Sequence, residues 1–321
     1  MSAPRLQLVV GKGGVGKSTV AAAIALAAAR AGQRVLALEL SRQGGLARIF
    51  GRAPSEPGVP VEVRPRLSIA YVEGEAALAE YLELVVPIRR LLAAVFASRV
   101  YRLFVAAAPG LKELMTIGKI WYEQDRKEAD GRFLWDLVVV DAGASGHSLQ
   151  YLQMPGTAAQ AFSSGLVHRE ATRVESLLKD PARSCIHVVA LPEEMPVTEA
   201  VQIVRRLRTE LGMPLGTVFM NRCRERSPAG AAEVVGKLAG VDADRCEDLG
   251  EYPATLILEG IRLAAARQLA WETIQERSIE RLERETSMAV LRLPFLVAEE
   301  FGIAEVERLA DAVDAASGGA A

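Results

Sequence analysis

Gly11-Lys12-Gly13-Gly14-Val15-Gly16-Lys17-Ser18 follows the apolar run Leu6-Gln7-Leu8-Val9-Val10 and leads into Thr19-Val20-Ala21-Ala22-Ala23-Ile24-Ala25. The order is strand, glycine-rich turn, helix. A G-x-x-x-x-G-K-[ST] spacing in that setting lets the backbone curl until successive N–H groups face a phosphate, and the helix N-terminus adds its positive end. Gly11, Gly13, Gly14, Val15 and Gly16 supply the cradle and Thr19 continues it into the helix. Lys17 carries the charge that meets the β/γ-phosphates, and Ser18 a hydroxyl that ligates Mg²⁺.

Outward from this loop, short apolar runs at 6–10, 34–40, 67–72, 136–141, 186–191, 215–221 and 288–293 alternate with helical patterns near 17–31, 196–211, 230–240, 254–286 and 303–315. Runs that are apolar almost without interruption belong to strands covered on both faces, which is the setting of a parallel sheet between helices. The alternation predicts a doubly wound, mostly parallel α/β sheet spanning 1–321 as one domain. Between about 75 and 130 the pattern is helical with no good strand, so a helical subdomain is expected to interrupt the sheet there. The Pro- and Gly-rich stretch 53–60 reads as the exposed connection before it, and 156–184 as a short helical piece.

With 38 Lys and Arg against 40 Asp and Glu, the 321-residue chain has a formal net charge of −2. So balanced a surface offers no long-range pull on nucleic acid, and 5% aromatic residues are too few for a base-stacking platform. Cys185, Cys223 and Cys246 are odd in number and far apart, which argues against a disulfide framework and fits a reducing cytoplasm. Arginines interrupt the most apolar long stretch, 84–108, so no membrane-spanning helix is expected.

At 136–149, Asp136-Leu137-Val138-Val139-Val140-Asp141-Ala142-Gly143-Ala144-Ser145-Gly146-His147-Ser148-Leu149, an apolar strand ends in an acid and a small-residue loop. A carboxylate at a strand end beside a phosphate loop suits contact with Mg²⁺, and Asp141 is the candidate.

Lys12 is not required by the phosphate loop itself, and its place in G-K-G-G-V-G-K-S resembles the deviant Walker A ATPases, the P-loop class of ArsA, MinD and ParA. The segment from Asp141 to His147 is similar to the D-T-A-P-T-G-H switch of ArsA, with Asp141, Gly146 and His147 matching. The following L-Q-Y-L-Q-M-P resembles that family's L-R-L-L-Q-L-P. Further likeness lies in Ala108-Pro109-Gly110-Leu111-Lys112-Glu113, in Leu191-Pro192-Glu193-Glu194-Met195-Pro196-Val197-Thr198-Glu199, in Val218-Phe219-Met220-Asn221-Arg222 and in Leu293-Pro294-Phe295-Leu296. The chain thus resembles the ArsA and tail-anchored-protein-targeting ATPases. That resemblance implies ATP and Mg²⁺ as cofactors, a dimer in which Lys12 reaches the partner's nucleotide, Asn221 as the adenine reader and Pro294 in the segment closing over the base.

The chain departs from those relatives after its second strand. Where they carry S-T-D-P-A-H, whose Asp orients the attacking water, this sequence has Glu39-Leu40-Ser41-Arg42-Gln43-Gly44-Gly45, which puts Ser41 at the Asp position. Serine cannot replace that base. Glu39, two residues earlier on the same strand face, is the alternative for positioning water or Mg²⁺. Similar runs occur in a bacterial branch found as two paralogues, which admits a heterodimer with a paralogous ATPase as well as a homodimer. No C-x-x-C and no arsenite-type cysteine trio is present. Met115 and Met154 are little material for a hydrophobic client groove, although the apolar run 91–108 remains a candidate wall. The expected function is an Mg-dependent ATPase acting as a dimeric switch, with a client protein of unstated identity. A non-catalytic ATP-binding partner and a MinD- or ParA-like positioning ATPase are the rivals.

Overall fold

The computed structural model describes residues 3–40, 44–53, 55–85, 96, 98–99, 110–143, 145–242 and 252–318. Its frame is set by β1 (Leu6–Gly11), β2 (Val35–Glu39), β5 (Leu137–Asp141) and β6 (Ser184–Ala190), in which nearly every residue is buried. Successive side chains alternate between two cores, as the pleat requires. Leu6, Leu8, Val10, Leu36 and Leu38 enter one, whereas Val9, Val35, Ala37 and Val139 enter the other. A strand that feeds two cores has no solvated face, which is why these runs are apolar throughout.

Four more strands complete the sheet: β3 (Val61–Arg64), β4 (Leu67–Tyr71), β7 (Leu215–Cys223) and β8 (Val290–Pro294), in the spatial order β3-β4-β2-β5-β1-β6-β7-β8. All pairings are parallel except β3 with β4. The expected mostly parallel sheet is present, and β3 is an addition the sequence reading passed over. It is a short edge strand, half-exposed, following the Pro- and Gly-rich connection.

On one face lie α1 (Lys17–Arg30), α2 (Gly45–Ile49) and α10 (Ile303–Gly318). The alanine-rich α1 has small side chains at Ala21, Ala22, Ala23 and Ala25, all fully buried, so its backbone packs close to the sheet. The opposite face is covered by α4 (Leu111–Asp125), α5 (Ser145–Ala161), α6 (Gly165–Lys179), α7 (Glu194–Arg206) and the end of α9 (Ala254–Thr286). A π turn, Leu207–Leu211, finishes α7, and α8 (Ala231–Ala239) precedes α9 with none of its residues buried. Of the helical insert, α3 (Gly74–Val85) and α4 are described; the candidate wall at 91–108 lies almost wholly outside the described residues.

The segment 156–184 corrects the expectation of one short helical piece. Helix α5 runs through Pro155 to Ala161 and α6 adds fifteen residues. An interior proline removes a helix hydrogen bond and normally reads as a stop, but burial of Leu149 and Leu152 against the sheet overrides it. Together α3, α4, α5 and α6 line a largely apolar cavity of about 730 Å³, with Met115, Trp121, Met154, Phe162 and Leu166 among its walls. Both methionines set aside as too few thus line one groove. No helix among the described residues is long and apolar enough to cross a membrane.

Candidate active site

Parallel strands deliver their C-terminal ends to one edge of the sheet, and β1, β2, β5, β6 and β7 all end there. Gly11 closes β1 at φ +153°, where a Cβ would stand 2.4 Å from the carbonyl oxygen of Val189 on β6, so only glycine fits. The chain then loops over to Gly16, at φ +94°, and enters α1 at Lys17.

Lys17 is buried, and its Nζ donates to the carbonyl oxygen of Lys12 at 2.9 Å. Burial lowers its pKa, while Asp141 and Glu199 support the charged form. Ser18 Oγ donates to Asp141 Oδ2 across the sheet edge. Asp141 is 3% exposed. Burial raises its pKa, and Ser18, Lys17 and the backbone of Gly143 favour the carboxylate. Its Oδ1 is buried without a hydrogen-bond partner among the described residues. An unsatisfied buried carboxylate oxygen is costly unless something positive comes to it. The hydroxyl of Ser18, the second oxygen of Asp141 and the ammonium of Lys17 therefore form a donor set that fits a hydrated Mg²⁺ with phosphate.

Glu39 pairs in register with Asp141 on the neighbouring strand. The residue is 5% exposed and its carboxylate is turned towards the loop entering α2, with Oε1 accepting from Gly45 N at 2.7 Å and Oε2 from Leu46 N at 3.1 Å. Burial pushes its pKa up, and the two N–H groups counter that. Gly45 is wedged between the two polar groups, since a Cβ there would lie 3.0 Å from Ser18 Oγ and 3.1 Å from Glu39 Oε1. Ser41 lies outside the described residues.

Asn221, 4% exposed at the end of β7, donates from Nδ2 to Val15 O at 2.9 Å and accepts from Arg222 N at 2.9 Å. One amide N–H and one lone pair remain, which is the pair of functions a base edge needs. Pro294 ends β8 beside Cys223, two residues on from Asn221. Gly146 and His147 fall in the first turn of α5, and their side chains are not among those described.

The structure thus gathers Lys17, Ser18, Glu39, Asp141 and Asn221 around one loop. Lys12 differs: its ammonium turns to Glu199 Oε1 of α7 at 3.2 Å, both side chains about 30% exposed. Glu199 and Gly45 were given no role in the sequence reading. Gly45 offers no signal beyond its composition; Glu199 stands in a run that resembles the family yet has no chemical pattern of its own.

Residues 5–167, which include the loop, Glu39 and Asp141, match the family model described as anion-transporting ATPase. ATPase BagA of Mycobacterium tuberculosis is 31% identical over 99% of this chain and 91% of its own length. The arsenical pump-driving ATPase of Acidiphilium multivorum is 24% identical over 83% of this chain and 48% of its own length. A match that takes in half the chain, with a relative aligned nearly end to end, carries the conclusion that this chain belongs to the anion-transporting, or ArsA, ATPase family.

Proposed function

We propose that the chain is an Mg²⁺-dependent ATPase that works as a dimeric switch. The observation that carries this is the Ser18–Asp141 pair beside buried Lys17, with Asp141 Oδ1 unpartnered among the described residues. A bound Mg²⁺ would supply positive charge against the charge that develops on the phosphate during transfer. Ser18 and Asp141 are the residues that would hold it. Lys17 exchanges the Lys12 carbonyl for phosphate oxygens, and the loop N–H groups from Gly13 to Ser18 hold the rest. Asn221 reads the base and Pro294 borders it. Lys12 acts on the nucleotide of a second copy or of a paralogous ATPase.

The cavity between α3 and α6 supports a client role for the same switch. Its walls are largely apolar and include Met115 and Met154, whose unbranched side chains adapt to hydrophobic segments of varied shape. Protein targeting, rather than arsenical pumping, is the reading this favours, because the sequence has three scattered cysteines. A second reading, a nucleotide-binding partner without turnover, rests on Glu39, both of whose oxygens are engaged by backbone N–H groups.

Calorimetry with Mg-ATP and a phosphate-release assay on the purified chain decide between them. Binding that Lys17→Ala abolishes, together with release, is the expected result. Binding with no release selects the partner reading, and a parent chain that does not bind ATP overturns both.

A further inference from the structure

We infer that Glu199 is a positioning residue that parks Lys12 in the single chain and releases it when two chains close on ATP. The inference rests on the reading that Lys12 acts across a dimer, and it adds the group that controls the lysine.

Lys12 is held at two points. Its carbonyl oxygen accepts from Lys17 Nζ at 2.9 Å, and its ammonium meets Glu199 at 3.2 Å. The second contact follows from topology. β1 and β6 are adjacent and parallel, so the loop leaving β1 and the first turns of α7 leaving β6 emerge side by side. A four-carbon stem spans the gap, and the ammonium lies over α7 instead of over its own phosphate cradle.

Glu199 also bears on Lys17, whose charged form it favours. One carboxylate therefore sits within electrostatic reach of both loop lysines. Arrival of a triphosphate supplies negative charge at Lys17 and draws it from the Lys12 carbonyl, so the backbone restraint on Lys12 is lost and the Glu199 pair alone holds its ammonium. Gly13 and Gly14, next to Lys12, have open space where a side chain would stand, which leaves the loop tip accessible to an approaching chain.

The strength of the pair suits a reversible hold. Half-exposed ion pairs are worth no more than about a factor of five in an equilibrium, enough to bias a lysine and too little to trap it. A buried pair would resist release, and a lysine with no acid nearby would sample the nucleotide site of its own chain.

Three variants test this: Glu199→Gln, Glu199→Asp and Lys12→Ala, each with the parent, followed by sedimentation with a slowly hydrolysed ATP analogue and Mg²⁺. Amine labelling of Lys12 in the nucleotide-free chain, read by mass spectrometry, gives a second measurement independent of turnover. Glu199→Gln is expected to lower the concentration of half-dimerisation about 3- to 5-fold and to raise Lys12 labelling, while Lys12→Ala weakens dimerisation. Glu199→Asp, which keeps the charge on a shorter stem, should fall between parent and Glu199→Gln.

A parent that dimerises, with Glu199→Gln matching it in both measurements, overturns the parking role alone. The same holds if Glu199→Gln weakens dimerisation as Lys12→Ala does, since Glu199 would then aim the lysine at the partner. A parent that stays monomeric with the analogue overturns the dimer reading and the parking role with it.

Discussion

The side-chain amide of Asn221 donates to the carbonyl oxygen of Val15 at 2.9 Å, tying the end of β7 to the phosphate loop. The bond is buried, so removing its donor leaves an acceptor without water or protein to meet it, at a cost of about 1–3 kcal/mol. Asn221→Ala should therefore weaken Mg-ATP binding by about tenfold or more. It should weaken GTP binding less, because the base-facing half of the amide is lost for adenine in addition to the brace. Calorimetry with both nucleotides checks this; equal losses would mean that Asn221 braces the loop and reads nothing.

Gly16 stands against the same amide. At φ +94°, a Cβ would be 2.2 Å from Asn221 Nδ2, so Gly16→Ala incurs backbone strain and a clash together. Each contributes about 1–3 kcal/mol, and nucleotide binding should be lost. In the double variant Gly16→Ala with Asn221→Ala the clash goes while the strain stays, and urea unfolding should recover part of the lost stability. Two losses that simply add would place the damage elsewhere.

These contacts mark where sequence legibility ends. The central strands were readable because Leu6, Leu8 and Val10 face one core and Val9 the other, leaving a continuous apolar signature. The loop was readable because its chemistry fixes its spacing. Edge strand β3 is four residues with an alternating Val-Glu-Val-Arg pattern beside a turn-rich stretch, too brief to stand out. The backbone N–H groups that hold Glu39 belong to Gly45 and Leu46, and backbone donors have no letter in a sequence. Lys12 and Glu199 meet only because β1 and β6 are neighbours, a fact of strand order rather than of pattern.

His187 predicts a pH dependence. The ring is buried on β6; its Nδ1 accepts from Thr217 N at 2.9 Å and its Nε2 faces Gln7 Oε1 at 3.1 Å, which suits the neutral ring carrying its proton on Nε2. Burial lowers its pKa from 6.5 to about 4. The unfolded chain therefore binds this proton first as pH falls. Stability is unaffected above about pH 6.5, declines between there and pH 4, and has lost about 3 kcal/mol once both states are protonated. Urea unfolding of the parent and of His187→Gln at pH 7, 5.5 and 4.5 isolates the effect from titrating carboxylates. Parallel pH profiles in the two proteins would remove His187 as the cause.

Turnover depends on what Glu39 does with its two oxygens. If it positions water, Glu39→Gln suppresses phosphate release while leaving folding stability unchanged. The geometry favours a different outcome, because Oε1 and Oε2 each accept a backbone N–H at the entrance to α2. An amide can accept one of these and must present its own N–H groups to the other, at about 1–3 kcal/mol. Glu39→Gln should then lower phosphate release and resistance to unfolding together, with ATP affinity held within about threefold. By the family resemblance, Ser41 falls where the catalytic relatives carry Asp. With Glu39 engaged in holding the loop, a base supplied by Ser41→Asp should raise phosphate release by about 10- to 100-fold, the low end of what a positioned base contributes. A drop in turnover for Glu39→Gln at parental stability, with Ser41→Asp inert, would reverse the assignment and make Glu39 the residue that orients the water.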